Sequence, residues 1–137
     1  MEGILLKVHL LFTLYMCGLI WFVQIVHYPL FRLIRPEQFT SYEQGHTRLT
    51  AWLTAPQMTI ELFSAAALIY VVMDNYFYWF NFLGVLLIWV STFFIQVPLH
   101  NQLSQKHDPK NIQNLIKSNW ARTILWTIRA IALILYL

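Results

Sequence analysis

Apolar residues run almost unbroken through three stretches of this chain, and polar residues gather between them. Between Lys7 and Arg32 lie 24 residues without a formal charge, and between Asp74 and Lys106 lie 31. Between Arg48 and Asp74 the only charge is Glu61. About 20 helical residues cross a hydrocarbon core of ~30 Å, so each stretch is long enough to span a bilayer. The pattern predicts four spans, at about 9–31, 49–73, 82–99 and 119–137, the last containing Arg122 and Arg129. A polar connection runs from Arg32 through Arg35 and Pro36 to Arg48. Asp74-Asn75 and Asn81 bracket a predicted tight turn, whose Tyr76, Tyr78 and Trp79 suit an interfacial aromatic belt. The stretch Asn101–Ser118 reads as a polar loop, with Asp108-Pro109 as turn signal and helix start.

Four spans with short links imply an all-α, up-down-up-down membrane bundle. Arg32, Arg35 and Arg48 flank one connection; Lys106, Lys110, Lys117 and Arg122 lie in or just after another, whereas the opposite side carries only Lys7. The positive-inside rule then puts both longer connections in the cytoplasm and both termini on the non-cytoplasmic side, as expected for a multi-pass protein of a bacterial inner membrane.

Composition agrees: 58% of the 137 residues are hydrophobic and 11% charged, against roughly 25% charged in an average soluble domain. This argues against a soluble globular domain, a disordered chain and a disulfide-rich module. The single cysteine, Cys17, sits in an apolar run and can form no intrachain disulfide. The net charge of +3 comes from residues flanking apolar helices, which points to topology and to no nucleic-acid partner. The expected surroundings are the lipid bilayer, a lipophilic small molecule and further copies of the chain, since four short helices enclose little volume. A faint internal repeat is also visible. Gln24…Pro29-Leu30 resembles Gln96…Pro98-Leu99 with a three-residue difference in spacing, and Arg48-x-x-x-Trp52 resembles Arg122-x-x-x-Trp126.

An ionisable group inside a bilayer costs about 2.5–3.5 kcal/mol at a helix centre on insertion scales, so each needs a partner or a purpose. Glu61 lies thirteen residues past Arg48, and Arg129 twelve past Lys117. Both therefore sit roughly 18–20 Å in from the cytoplasmic side at 1.5 Å per residue. The two are predicted to pair across the bundle, with Thr54, Gln57 and Ser64 adding hydrogen bonds. The pair is either a structural register device or part of a functional site.

Nearer the cytoplasm, Gln24, His27 and Tyr28 share a helical face, and Gln96 and His100 share another. Pro98 is expected to bend its helix and free backbone carbonyls. His46 approaches from the connection, just before Arg48. His27, His46 and His100 are candidate ligands for iron, copper or zinc, since imidazole suits all three. Two histidines on different helices could instead hold a haem axially. No Glu-x-x-His or His-x-x-x-His pair falls on one predicted helix, as a di-iron bundle or zinc peptidase would show. His9 and His107 read as boundary and loop residues. Asn119, Trp120, Arg122, Trp126 and Arg129 form the densest polar and aromatic cluster, and the i, i+4, i+7 spacing of Arg122, Trp126 and Arg129 predicts a stripe facing the bundle. The alternative for Arg122 is snorkelling to the headgroups. Lining a cavity, such guanidinium groups could hold an anionic or quinone-like oxygen.

Gln96-Val97-Pro98-Leu99-His100-Asn101-x-Leu103 and Asn119-Trp120-x-Arg122-Thr123 resemble a group of uncharacterised small bacterial four-span membrane proteins. His27-Tyr28-Pro29, Glu43-x-x-His46-x-Arg48 and Pro56-x-Met58-x-x-Glu61 fit the same group. The second half is also distantly similar to the anthrone oxygenase-like family. Here Asn101 lies three residues after Pro98 where that family has two, which places His100 at the asparagine-like position. The resemblance implies a four-helix membrane fold and, more weakly, cofactor-independent oxygenation of a flat aromatic.

Three functions follow as expectations. One is a redox or oxygenase-like enzyme acting on a lipophilic small molecule, with His27, His100, Glu61 and Arg129 as catalytic groups. Its binding groups would be Gln24, Tyr28, His46, Arg48, Gln96, Asn119, Trp120, Arg122 and Trp126, and its cofactor a transition metal, a haem or none. The others are a binding or accessory subunit whose polar cluster only fixes packing, and a small transporter or proton pathway along His27, Glu61 and Arg129.

Overall fold

Turn residues and prolines divide the chain into four helices, and a computed structural model describes all 137 residues with no strand among them. We number the helices α1 (Glu2–Leu33), α2 (Pro36–Val71), α3 (Tyr76–Leu103) and α4 (Pro109–Tyr136). Pro36 and Pro109 stand in the first turns of α2 and α4, where a missing N–H costs nothing. Asp108 caps α4 by accepting from the N–H of Lys110 at 2.8 Å, and Asn75 caps α3 by accepting from that of Phe77 at 3.1 Å. The helices form a bundle with α1 against α2 and α4, and α3 against the same two. α1 and α3 are each long and apolar enough to cross a membrane.

Two expected connections are largely helical instead. Residues 36–48 continue into α2, and the loop expected at Asn101–Ser118 shrinks to the turn between Leu103 and Pro109. Polarity alone suggested loops, but these segments carry inward-facing residues at helical spacing. Phe39 and Glu43 are fully buried on α2, as are Ile112, Leu115 and Asn119 on α4. The turn expected to extend to Asn81 closes by Asn75; Asn81 is buried inside α3.

α1 and α3 each widen into a π-turn, at Val23–His27 and Thr92–Gln96, directly before Tyr28-Pro29-Leu30 and Val97-Pro98-Leu99. The proline ring crowds the carbonyl four residues back and donates no N–H, so the ladder shifts to longer bonds there. The N–H of Tyr28 reaches the carbonyl of Val23, and that of Val97 reaches Thr92. The π-turn before Pro98 thus has a twin before Pro29. The two helices correspond by their prolines, so that Gln96 matches His27 and not Gln24.

The interior alternates apolar and polar layers. Leu6, Leu68, Ile69, Tyr78 and Leu133 fill the end that holds both termini. Met16, Ile20, Met58, Ile88 and Trp126 fill the middle, and Tyr28, Phe31, Phe39, Leu103, Ile112 and Leu115 the far end. Outward faces are apolar too: Phe63 is 68% and Phe94 77% exposed.

Candidate functional site

The polar layer nearer the termini is built around Glu61 and Arg129. Arg129 Nη1 donates to Glu61 Oε1 at 2.7 Å, so the predicted pair forms. Its surroundings differ from expectation. Thr13 Oγ1 donates to Glu61 Oε1 at 2.8 Å, and the Trp126 indole donates to Oε2 at 3.0 Å. Arg129 Nε donates to Asn81 at 3.1 Å, and Nη2 to His9 Nε2 at 3.2 Å. Asn81 Nδ2 also donates to that nitrogen at 2.9 Å. His9 Nε2 is therefore an acceptor, which leaves Nδ1 as the donor to Ser64 Oγ at 2.8 Å. Ser64 passes the chain on to the Glu61 carbonyl. Ser64 is thus part of the network, but Thr54 bonds its own helix backbone and Gln57 stands apart.

Every nitrogen of Arg129 is satisfied, and both groups are buried. A buried ion pair is tolerable only when further hydrogen bonds complete it, and here they do. His9, expected at a boundary, is fully buried at the centre of this network. Its helical spacing with Leu6, Thr13, Met16 and Ile20 was the available signal, because all five lie on one buried face of α1.

On the other side of the middle apolar layer lies a cavity of about 360 Å³. Met16, Leu19, Ile20, Met58 and Trp89 make its apolar wall, and Tyr28, His46, Gln96, His100 and Arg122 its polar end. Its mouth lies on the flank of the bundle between α2 and α3, where the lining residues Ala51, Ala55, Phe93 and Val97 are exposed. Glu61 and Arg129 do not reach it.

At the polar end, His27 Nε2 lies 2.8 Å from His46 Nδ1, and Tyr28 Oη 2.9 Å from His100 Nε2. His100 Nδ1 pairs with Oε1 of Glu43, which is fully buried. Oε2 of Glu43 has no partner. The three candidate ligands therefore change membership. Glu43, His46 and His100 bring one ligand atom each within 4.8 Å of one another, while His27 stands behind His46. Because the connection is helical, Glu43 and His46 are a Glu-x-x-His pair on one face of α2, contrary to the expectation that none exists. The imidazoles pack ring to ring, with centroids 5.3 Å apart for His46 and His100, which suits a single ion better than a macrocycle.

Arg122 is 8% exposed and does not snorkel. Its guanidinium lies 5.3 Å over the Trp126 ring, and its Nε has no hydrogen-bond partner. Neither ion pair of the chain includes it. Trp126 separates the two polar layers, with its N–H on Glu61 and its face to Arg122. Gln24 accepts from Asn119 Nδ2 at 2.9 Å and donates to the Ile116 carbonyl, tying α1 to α4. Gln96 donates to Ser118 and leaves its own oxygen, Oε1, unpartnered beside the cavity. Arg48 and Trp120 are exposed and join neither layer; Trp120 packs edge-on to Trp21. His107 packs on Phe39 in the turn.

Compared with known proteins, the chain matches no family model, no curated protein and no solved structure.

Proposed function

We propose that this chain is a four-span bacterial inner-membrane protein that holds a lipophilic small molecule by an anionic or quinone-like oxygen in the flank cavity. Apolar outward faces on all four helices support insertion, since soluble monomers rarely expose apolar patches beyond a few hundred Å². Arg32, Arg35, Lys106 and Lys110 lie in or beside the two turns at one end, and that end is read as cytoplasmic. A cavity mouth between α2 and α3 would then open to lipid, the route a membrane-dissolved molecule takes.

The observation that carries the reading is Arg122. A charged group with no protein acceptor, buried beside a cavity, is expensive unless a ligand supplies the acceptor. The planar donor fork of a guanidinium suits an oxygen-bearing head. Glu43, His100 and Tyr28 form a hydrogen-bonded relay at the same end. Such a relay would move protons to or from that head, as a redox or oxygenase-like reaction on it would require. Glu61 and Arg129 hold the helices in register in this reading, because their donors and acceptors are already filled.

Quenching of tryptophan fluorescence by a brominated long-chain carboxylate tests the reading, with Trp89 in the cavity wall as reporter. Saturable quenching is expected, weakened at least about tenfold (~1.4 kcal/mol) in Arg122→Gln and unchanged in Arg48→Gln. Equal binding by wild type and Arg122→Gln would overturn it. Competition by a lipophilic quinone, or its absence, distinguishes the two kinds of head.

A further inference from the structure

We propose that Glu43, His46 and His100 form a binding site for one divalent first-row transition-metal ion, with an open coordination position facing the cavity. Two imidazoles and one carboxylate, each offering one ligand atom within 4.8 Å of the others, are the donor set of zinc and non-haem iron(II) sites. Helical spacing brings Glu43 and His46 together on α2, and the stretch of α3 beyond its π-turn supplies His100.

The support behind the donors is the second observation. A metal-bound histidine holds its other ring nitrogen in a hydrogen bond, which fixes tautomer and orientation. His46 Nδ1 is held by His27 Nε2 at 2.8 Å, with Thr50 at 3.1 Å, which leaves Nε2 to coordinate. His100 Nε2 is held by Tyr28 Oη at 2.9 Å, and its Nδ1 faces Glu43. Glu43 is a fully buried carboxylate that pairs with no lysine or arginine and has one oxygen without a partner. A buried acid of that kind calls for a cation. His46 and His100 line the cavity, so three protein donors leave room for an exchangeable ligand on the cavity side. The ion site stands independently of Arg122 and the molecule it would hold. An ion on His100 Nδ1 and Glu43 would replace the hydrogen bond between them, so relay and ion are alternative uses of those two groups. Only the statement that the open position meets the ligand's head rests on the proposed function.

Full-length protein, purified in detergent and stripped with a chelator, is titrated with Co²⁺ alone and read by visible d–d absorption and bound-metal analysis. One Co²⁺ per chain is expected, displaced by one Zn²⁺. Binding should be lost in His46→Ala, His100→Ala and the isosteric Glu43→Gln, each checked for native helicity. His27→Ala removes only a supporting bond and should weaken binding about 10–100-fold. His107→Ala, in the turn, should bind as wild type. Substoichiometric Co²⁺ in the wild type, or unchanged binding in folded Glu43→Gln, would overturn the site. Carboxylate quenching measured on the stripped protein reports on Arg122 separately, so either idea can fail alone.

Discussion

A β-carbon added at Gly84 would stand 2.6 Å from Cδ of Arg129. The arginine cannot step aside, because its far end is held by Glu61, Asn81 and His9 and its near end by α4. Gly84→Ala is therefore expected to destabilise the bundle by about 1–3 kcal/mol, the usual cost of overpacking. Gly18→Ala, with nothing within 4 Å, should be neutral or stabilising by up to about 1 kcal/mol. Thermal unfolding in one detergent compares the two directly; equal shifts would remove the argument from close approach.

Glu61→Gln leaves a buried guanidinium without its counter-charge and should cost about 3–5 kcal/mol. The double variant Glu61→Gln/Arg129→Gln should cost less than the sum of the singles, because neither partner is then stranded. Additive losses in a double-mutant cycle would show that the ion pair is energetically silent.

Arg122→Gln should cost much less. No hydrogen-bond acceptor is lost, only the contact with the Trp126 ring, so the loss in the ligand-free protein should be no more than about 2 kcal/mol. A loss comparable with that of Glu61→Gln would mean that Arg122 has a structural partner in the folded protein.

Trp126→Phe keeps the wall between the two polar layers but removes the N–H that Glu61 accepts at 3.0 Å. Hydrogen bonds to charged groups contribute about 1.5–3 kcal/mol, and a loss of that order is expected in chemical denaturation. The Glu61–Arg129 contact itself should survive, seen as retained coupling between those two residues in the Trp126→Phe background.

Topology is checked with a Cys17→Ala chain carrying one new cysteine. In inverted vesicles, an impermeant thiol reagent should label Lys106→Cys and spare Asp74→Cys, since the basic turns are read as cytoplasmic. The reverse pattern would invert the bundle.

Much of this molecule is already decided along the chain. Long uncharged stretches broken by Asp74-Asn75 and Asp108-Pro109 specify helices and their ends, because hydrophobic length and capping chemistry are local properties. The Glu61–Arg129 pair was legible too, since two isolated charges at equal depth have few other places to go. What the chain alone did not decide is which polar residues turn inward together. His9, Asn81 and Glu43 read along the chain as boundary, turn and connection residues, and only packing brings them to Arg129, His9 and His100 respectively. Gln57 and Arg48, equally polar, join neither layer. The difference arises from rotation about each helix axis and from the π-turns before Pro29 and Pro98, which depend on how all four helices pack. Charge scarcity can show that a buried polar residue needs a partner, but three-dimensional packing chooses which one it receives.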